Sequence, residues 1–169
     1  MVRLRLATLV DRELLEHWDR QSHVAAASGD DDFYDWQAEL PRALPWRELL
    51  LAEIGTRPIG FVQIIDPLLE ESRYWGEIEA DLRAIDIWIG EASYLGRGHG
   101  TSMMRLALDR CFTEPSVKAV LVDPLAANRR AHRFYERLGF RRIERRLFGA
   151  DDCWVYRLNR QDWLSPTSR

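Results

Sequence analysis

Asp86 stands in the run I-D-I-W-I, a strand pattern otherwise apolar on both faces. A carboxylate there either turns to solvent or is kept for chemistry, where it can accept a proton or anchor a cation. Shortly after it the chain reads Leu95-Gly-Arg-Gly-His-Gly-Thr101 and runs into an apolar helical repeat. Glycine at every second position suits a backbone that lies against something larger than a side chain. The free N–H groups of residues 97 to 101 then point out of a helix N-terminus with the helix dipole behind them, a setting for a pyrophosphate. The same glycines also suit a plain strand-to-helix turn. The spacings of the P-loop and of the dinucleotide fingerprint are both absent, so ATP and NAD sites lose support.

Two further residues have suitable types. Tyr135 falls on the apolar stripe of a later helical pattern, opposite Arg129, Arg133 and Glu136, and is either a core residue or an inward proton donor. Asp123 closes a short apolar strand before Pro124 and would sit across a splayed sheet end from Asp86. Asn128 opens the helix that carries Tyr135 and reads as its N-cap.

Other chemistries find no residues. Cys111 and Cys153 lie far apart without partners at ligand spacing, and are expected as buried small hydrophobes. His17 and His23 cannot share a metal at a six-residue spacing on a helix, His99 lies in the glycine loop, and His132 is expected on the arginine face, so no metal is expected. Without G-x-S-x-G or a reactive cysteine context, a covalent acyl-enzyme is not expected. The formal charge of −3 argues against a nucleic-acid footprint. Its sign is uneven: seven acids fall between Asp66 and Asp86, and eight arginines between Arg129 and Arg146. One half suits a cation and the other a phosphate, or both are solvated faces. No apolar run approaches a bilayer span and the start M-V-R-L-R-L lacks a signal-peptide core, so no membrane partner and a cytoplasmic address are the expectation.

The elements that must position these residues follow from periodicity. Val2–Leu6 alternates as a strand, and Thr8 can cap one helix running to about Ala26. Asp35 can cap a short helix ended at Pro41. Leu49–Ile54 and Ile59–Ile65 form a hairpin, and an irregular acidic stretch runs from Pro67 to Asp81. Arg83–Ile89 places Ile85, Ile87 and Ile89 on one face and Asp86 and Trp88 on the other. Then come a helix from Gly98 to near Pro115, a strand Val117–Val122, a helix Asn128–Leu138 closed by Gly139, and strands Phe140–Leu147 and Cys153–Leu158 joined through G-A-D-D. The 169 residues therefore read as one α/β (α+β) domain with a central, mixed, mainly antiparallel sheet of about seven strands flanked by helices.

L-G-R-G-H-G resembles the [RQ]-x-x-G-x-[GA] loop of the GCN5-related N-acetyltransferases (the GNAT superfamily), with Leu95 in place of the usual Arg or Gln. N-R-R-A-H-R-F-Y-E-R-L-G-F, from Asn128 to Phe140, resembles that family's N-x-x-A-x-x-[FL]-Y-x-x-x-G-F. The stretch from Ile85 to Tyr156 is more narrowly similar to aminoglycoside 6'-N-acetyltransferases. The resemblance implies the GNAT fold and transfer of acetyl from acetyl-CoA to an amine in a ternary complex. It implies the pyrophosphate on Arg97, Gly98, His99, Gly100 and Thr101, and the pantetheine arm and thioester along Ile87, Trp88 and Ile89 and beside Asn128 and Ala131. Tyr135 is implied as general acid, and Asp86 as base or substrate anchor. Asp86 and Asp123 would then bind a polycationic sugar. The acidic loop Asp30 to Asp35, which does not resemble the family in length or composition, offers by its own residues an opposite wall, with Phe33, Tyr34 and Trp36 stacking on sugar rings. A siderophore-type or other small-amine acyltransferase and a non-catalytic acyl-CoA-binding module remain alternative readings, and a monomer or homodimer is expected.

Overall fold

The computed structural model describes residues 1–29 and 34–165. Strands β1 (Val2–Leu6), β2 (Arg47–Ile54), β3 (Arg57–Ile65), β4 (Leu82–Ile89), β5 (Ala119–Val122), β6 (Arg141–Phe148) and β7 (Asp151–Asn159) make one seven-stranded sheet in the order β1-β2-β3-β4-β5-β7-β6. Every neighbouring pair is antiparallel except β4 and β5, which run parallel. That parallel ladder holds only from Leu82↔Ala119 to Ala84↔Leu121 and then stops.

The sheet carries helices on both faces. Alternation along β4 sends Ile85 and Ile89 into the larger core, where α4 (His99–Thr113) contributes Met103, Met104, Ala107 and Leu108, and α5 (Arg129–Arg137) contributes Tyr135. The opposite face holds two separate clusters. Leu49, Leu51 and Phe61 pack under α1 (Arg12–Asp19) and α3 (Trp36–Glu39), with α2 (Ser22–Ala27) between those helices in sequence, whereas Ile65, Trp75, Ala84, Leu121, Phe148 and Val155 form the other. Gln63 and Asp86, register partners, lie between the two clusters.

The element order matches the expected one, with two differences. The helix expected from Thr8 to Ala26 opens with a 3-10 turn, Leu9–Asp11, and breaks at Gln21, whose extended backbone (φ −67°, ψ 133°) separates α1 from α2. A short α6, Arg160–Leu164, follows β7 and had no counterpart in the sequence reading; its Trp163 is buried in the main core. Among the described residues no helix is long and apolar enough to cross a membrane.

The β1–β2 edge is tied by charge. Arg5 donates from Nε to Glu53 at 2.6 Å and from both Nη atoms to Asp11 at 2.8 Å, and Arg3 Nη2 lies 3.0 Å from Glu53. The Arg5 hydrogen bond holds the Glu53 carboxyl below its ordinary 4.5. Its stabilising contribution is therefore complete above that value and lost as pH falls through the lowered one. Replacing Glu53 by Gln is expected to lower stability by about 2 kcal/mol at neutral pH, less than a fully buried pair would because Arg3 and Arg5 are partly exposed. The difference between variant and wild type should shrink in urea melts as pH falls below the ordinary 4.5 and through the lowered value, and a pH-independent difference would contradict this reading.

Candidate active site

The end of the β4–β5 ladder opens a cleft of about 560 Å³ on the face between the two smaller clusters. Its walls bring together Asp86 and Ile87 of β4, Asp123 beyond β5, and Asn128, Ala131 and Tyr135 from α5 and its N-cap. Asp86 is exposed to the cleft and accepts a hydrogen bond from Gln63 Nε2 at 3.0 Å. Asp123 accepts one from the Tyr74 hydroxyl at 2.6 Å. The two carboxylates thus stand on opposite sides of the splay, as their strand positions imply.

Tyr135 belongs to the core on the far side of the sheet, only 8% exposed, yet it lines the cleft through the gap between the two strands. Its ring packs against Phe134, Phe140 and Tyr156. Burial above all, then the charges of Asp86 and Asp123, hold its phenol well above the ordinary value of 10, so it carries its proton throughout the neutral range. Trp88 packs on Phe61 with ring centroids 4.6 Å apart and lines the same cleft. Its Nε1 is the one buried side-chain polar atom without a hydrogen-bond partner among the described residues. The Ile89 carbonyl bonds His23 Nε2 at 2.8 Å, which ties α2 to the end of β4.

The glycine loop lies outside the cleft lining, at the start of α4. Gly96 and Gly98 have left-handed backbone (φ 72° and 80°), which a β-carbon would strain, and Gly98 is the N-cap of α4. Nothing lies within 4 Å of where a β-carbon at either glycine would stand, and Gly100 would meet Phe134 only at ordinary contact distance. The loop therefore presents open backbone, with the first-turn N–H groups of His99, Gly100 and Thr101 outside the intrahelical ladder and Arg97 exposed beside them.

Two expectations change. Trp36, expected as a stacking surface for substrate, is 1% exposed in the core under α1, and its Nε1 donates to Asp19 at 2.6 Å. A tryptophan on the inner face of a four-residue helix is consumed by packing, and Tyr34 lines the cleft instead. Residues 30–33, expected as the rest of that wall, lie outside the described residues. His132 is buried, its ring bonded to the Tyr156 hydroxyl at 2.9 Å and the Ala126 carbonyl at 3.1 Å, and does not face out with the arginines. Asn128 is an N-cap, its side chain accepting from the Ala131 N–H at 3.1 Å, and it also lines the cleft. Both cysteines are buried, and burial pushes the Cys111 thiol up to about 12, where it is no nucleophile. Among the described residues no group of His, Cys, Asp or Glu could hold a metal ion.

Sequence reasoning missed several cleft residues. Asp19 contributes a carboxylate that burial pushes above its ordinary value, and Asp151, read as turn, lines the cleft from the first position of β7. Tyr74 came from the stretch read as irregular. The adjacent aromatics Tyr74 and Trp75 inside that acidic run were the available signal.

A parallel pair thus parts over a cleft, and a glycine-rich turn leads into the following helix, the arrangement that the resemblance to the GNAT superfamily implies. A family model described as an acetyltransferase (GNAT) domain matches residues 8–148, and the chain belongs to that family of acetyltransferases. Aminoglycoside N(6')-acetyltransferase type 1 of Klebsiella pneumoniae is 32% identical over 149 residues, spanning 83% of this chain and 74% of that protein. Among solved structures, aminoglycoside acetyltransferase AAC(6')-Ib in complex with coenzyme A and kanamycin superposes with a TM-score of 0.86 at 30% identity, covering 96% of this chain and 97% of that one. The same enzyme in complex with ribostamycin and coenzyme A gives 0.88 at 29% identity, covering 98% and 97%.

The cap geometry yields a stability test. Asn128→Ala is expected to cost about 1 kcal/mol in urea unfolding, and Asn128→Ser, which restores the acceptor, most of it back; equal losses in both variants would deny the cap its part.

Proposed function

We propose that this acetyltransferase moves the acetyl group of acetyl-CoA onto a primary amine of an aminoglycoside, the 6'-amine, by direct transfer in a ternary complex. The observation that carries this reading is the pair Asp86 and Asp123 facing each other across the splay, with the protonated Tyr135 hydroxyl entering between the strands. The similarity to enzymes named for 6'-acetylation and solved with coenzyme A and an aminoglycoside supports the same substrate class.

The residues present fit acetyl-CoA. Open left-handed backbone at Gly96 and Gly98 leaves room for a diphosphate against the N–H groups of His99, Gly100 and Thr101, with Arg97 adding charge. The β4 backbone from Ile87 to Ile89, outside the β5 ladder, together with Asn128 and Ala131 flanks the place for the pantetheine arm. When bound, acetyl-CoA supplies the thioester carbon that the amine attacks. Asp86 removes the proton from the acceptor ammonium, directly or through water, and so frees the attacking lone pair. Backbone N–H groups near Ile87 and Trp88 meet the carbonyl oxygen as charge builds on it. Tyr135 gives its proton to the departing sulfur as the C–S bond breaks. Gln63 holds the Asp86 carboxylate in place for its task.

The assay mixes the protein with acetyl-CoA and kanamycin or ribostamycin and follows free thiol. Thiol release with these sugars is the expected result. Release only with a non-sugar amine moves the assignment to another small-amine acyltransferase, and coenzyme binding without release from any amine moves it to a binding module. Asp86→Asn is expected to lower turnover by about 10²-fold or more, and an unchanged rate removes Asp86 as base. Tyr135→Phe is expected to lower kcat by roughly 10- to 10²-fold, by the same factor from about pH 6 to about pH 9, because the phenol stays protonated across that range. A loss that disappears toward the alkaline end would mean that the phenol gives up its proton within that range.

A further inference from the structure

The acetylation reading leaves unexplained what fixes Asp123, which lies one residue past the β5–β7 ladder where strand pairing no longer orients it. The answer lies in the connection between β3 and β4. There Tyr74 lays its ring flat on Phe148, with centroids 4.5 Å apart and planes 7° from parallel, and donates its hydroxyl to Asp123 Oδ2 at 2.6 Å. Trp75, buried next to it, meets Phe148 edge-on at 5.1 Å, and Arg146 Nη2 donates to the Trp75 carbonyl at 2.9 Å. The connection is thereby fastened to β6 at the residue that follows Tyr74. We propose that Tyr74 is a positioning residue for the acceptor: its hydroxyl pins the Asp123 carboxylate at the cleft wall, where it receives a second ammonium group of the sugar while Asp86 takes the reacting one.

Two features support this assignment. A phenol orients the carboxylate without cancelling its charge, whereas a guanidinium in the same place would cancel the attraction for a cation. Partial burial, followed by the charges of Asp123 and Asp86, raises the Tyr74 phenol above its ordinary value even though the side chain is 44% exposed, so it stays a donor across the neutral range. The stack on Phe148 holds the ring independently of the hydroxyl, which makes Tyr74→Phe a substitution of the hydrogen bond alone.

The assignment rests on the aminoglycoside reading, and steady-state kinetics with acetyl-CoA and kanamycin separates the two. In the full chain, Tyr74→Phe is expected to raise the kanamycin KM about ten-fold, with kcat within about two-fold of wild type and the acetyl-CoA KM unchanged. In an Asp123→Asn background the same substitution should have almost no further effect, because its partner charge is gone. Absence of wild-type turnover with any aminoglycoside defeats the acetylation reading itself. Wild-type turnover with an unchanged kanamycin KM in Tyr74→Phe overturns the role given to Tyr74, as does an effect of equal size in the Asp123→Asn background.

Discussion

The parting of β4 and β5 is the constraint on which the site depends. Two parallel strands that pair for three residues and then separate leave a seam through the sheet, and the separation has an identifiable cause. Past Val122 the chain turns at Asp123-Pro124 and attaches to β7: Trp154 N–H donates to the Pro124 carbonyl at 3.0 Å and Ala126 N–H to the Asp152 carbonyl at 2.7 Å. β4 meanwhile continues along β3 as far as Gly60↔Ile89. Each strand follows its antiparallel neighbour, and the parallel contact is given up between them. Tyr135, held in the core of one face, gains access to the opposite face only through this seam.

Carboxylates in this fold take partners of two kinds. On the β1–β2 edge Glu53 and Asp11 are bound by arginine, as are Glu39, Glu79 and Asp152 at other sites, so their charge is balanced within the chain. Other carboxylates accept from uncharged donors: in the cleft Gln63 bonds Asp86, Tyr74 bonds Asp123 and Trp36 bonds Asp19, and outside it Trp18 bonds Glu91 and Trp163 bonds Asp109. An uncharged donor fixes direction and leaves the field of the carboxylate intact.

How much of this could be read from the residues depends on whether local pattern or distant packing sets each feature. Asp86 was legible because a charge in I-D-I-W-I breaks the alternation itself, and the glycine loop because left-handed backbone at Gly96 and Gly98 demands a residue type. Asn128 was legible as a cap for the same local reason. Trp36 was misplaced because an aromatic beside aspartates looks like surface until the helix face it occupies is known, and that face is set by packing on Phe61. Tyr74 escaped notice because its partners, Phe148 and Asp123, are brought to it only by the sheet order, which puts β5, β7 and β6 beside one another. His132 likewise turned inward for Tyr156, a residue 24 positions away.

One consequence joins the two halves of the site. The charges of Asp86 and Asp123 help to hold the Tyr135 proton, so before a cationic acceptor arrives the phenol is at its least acidic. An acceptor whose ammonium groups settle between those carboxylates screens the same charges, and the phenol becomes a better proton donor at the moment a leaving thiolate needs one. The burial that dominates the shift persists, so the proton stays on the oxygen until the C–S bond begins to break. In the proposed reaction the acceptor would therefore act on the acid through the two aspartates proposed to hold it.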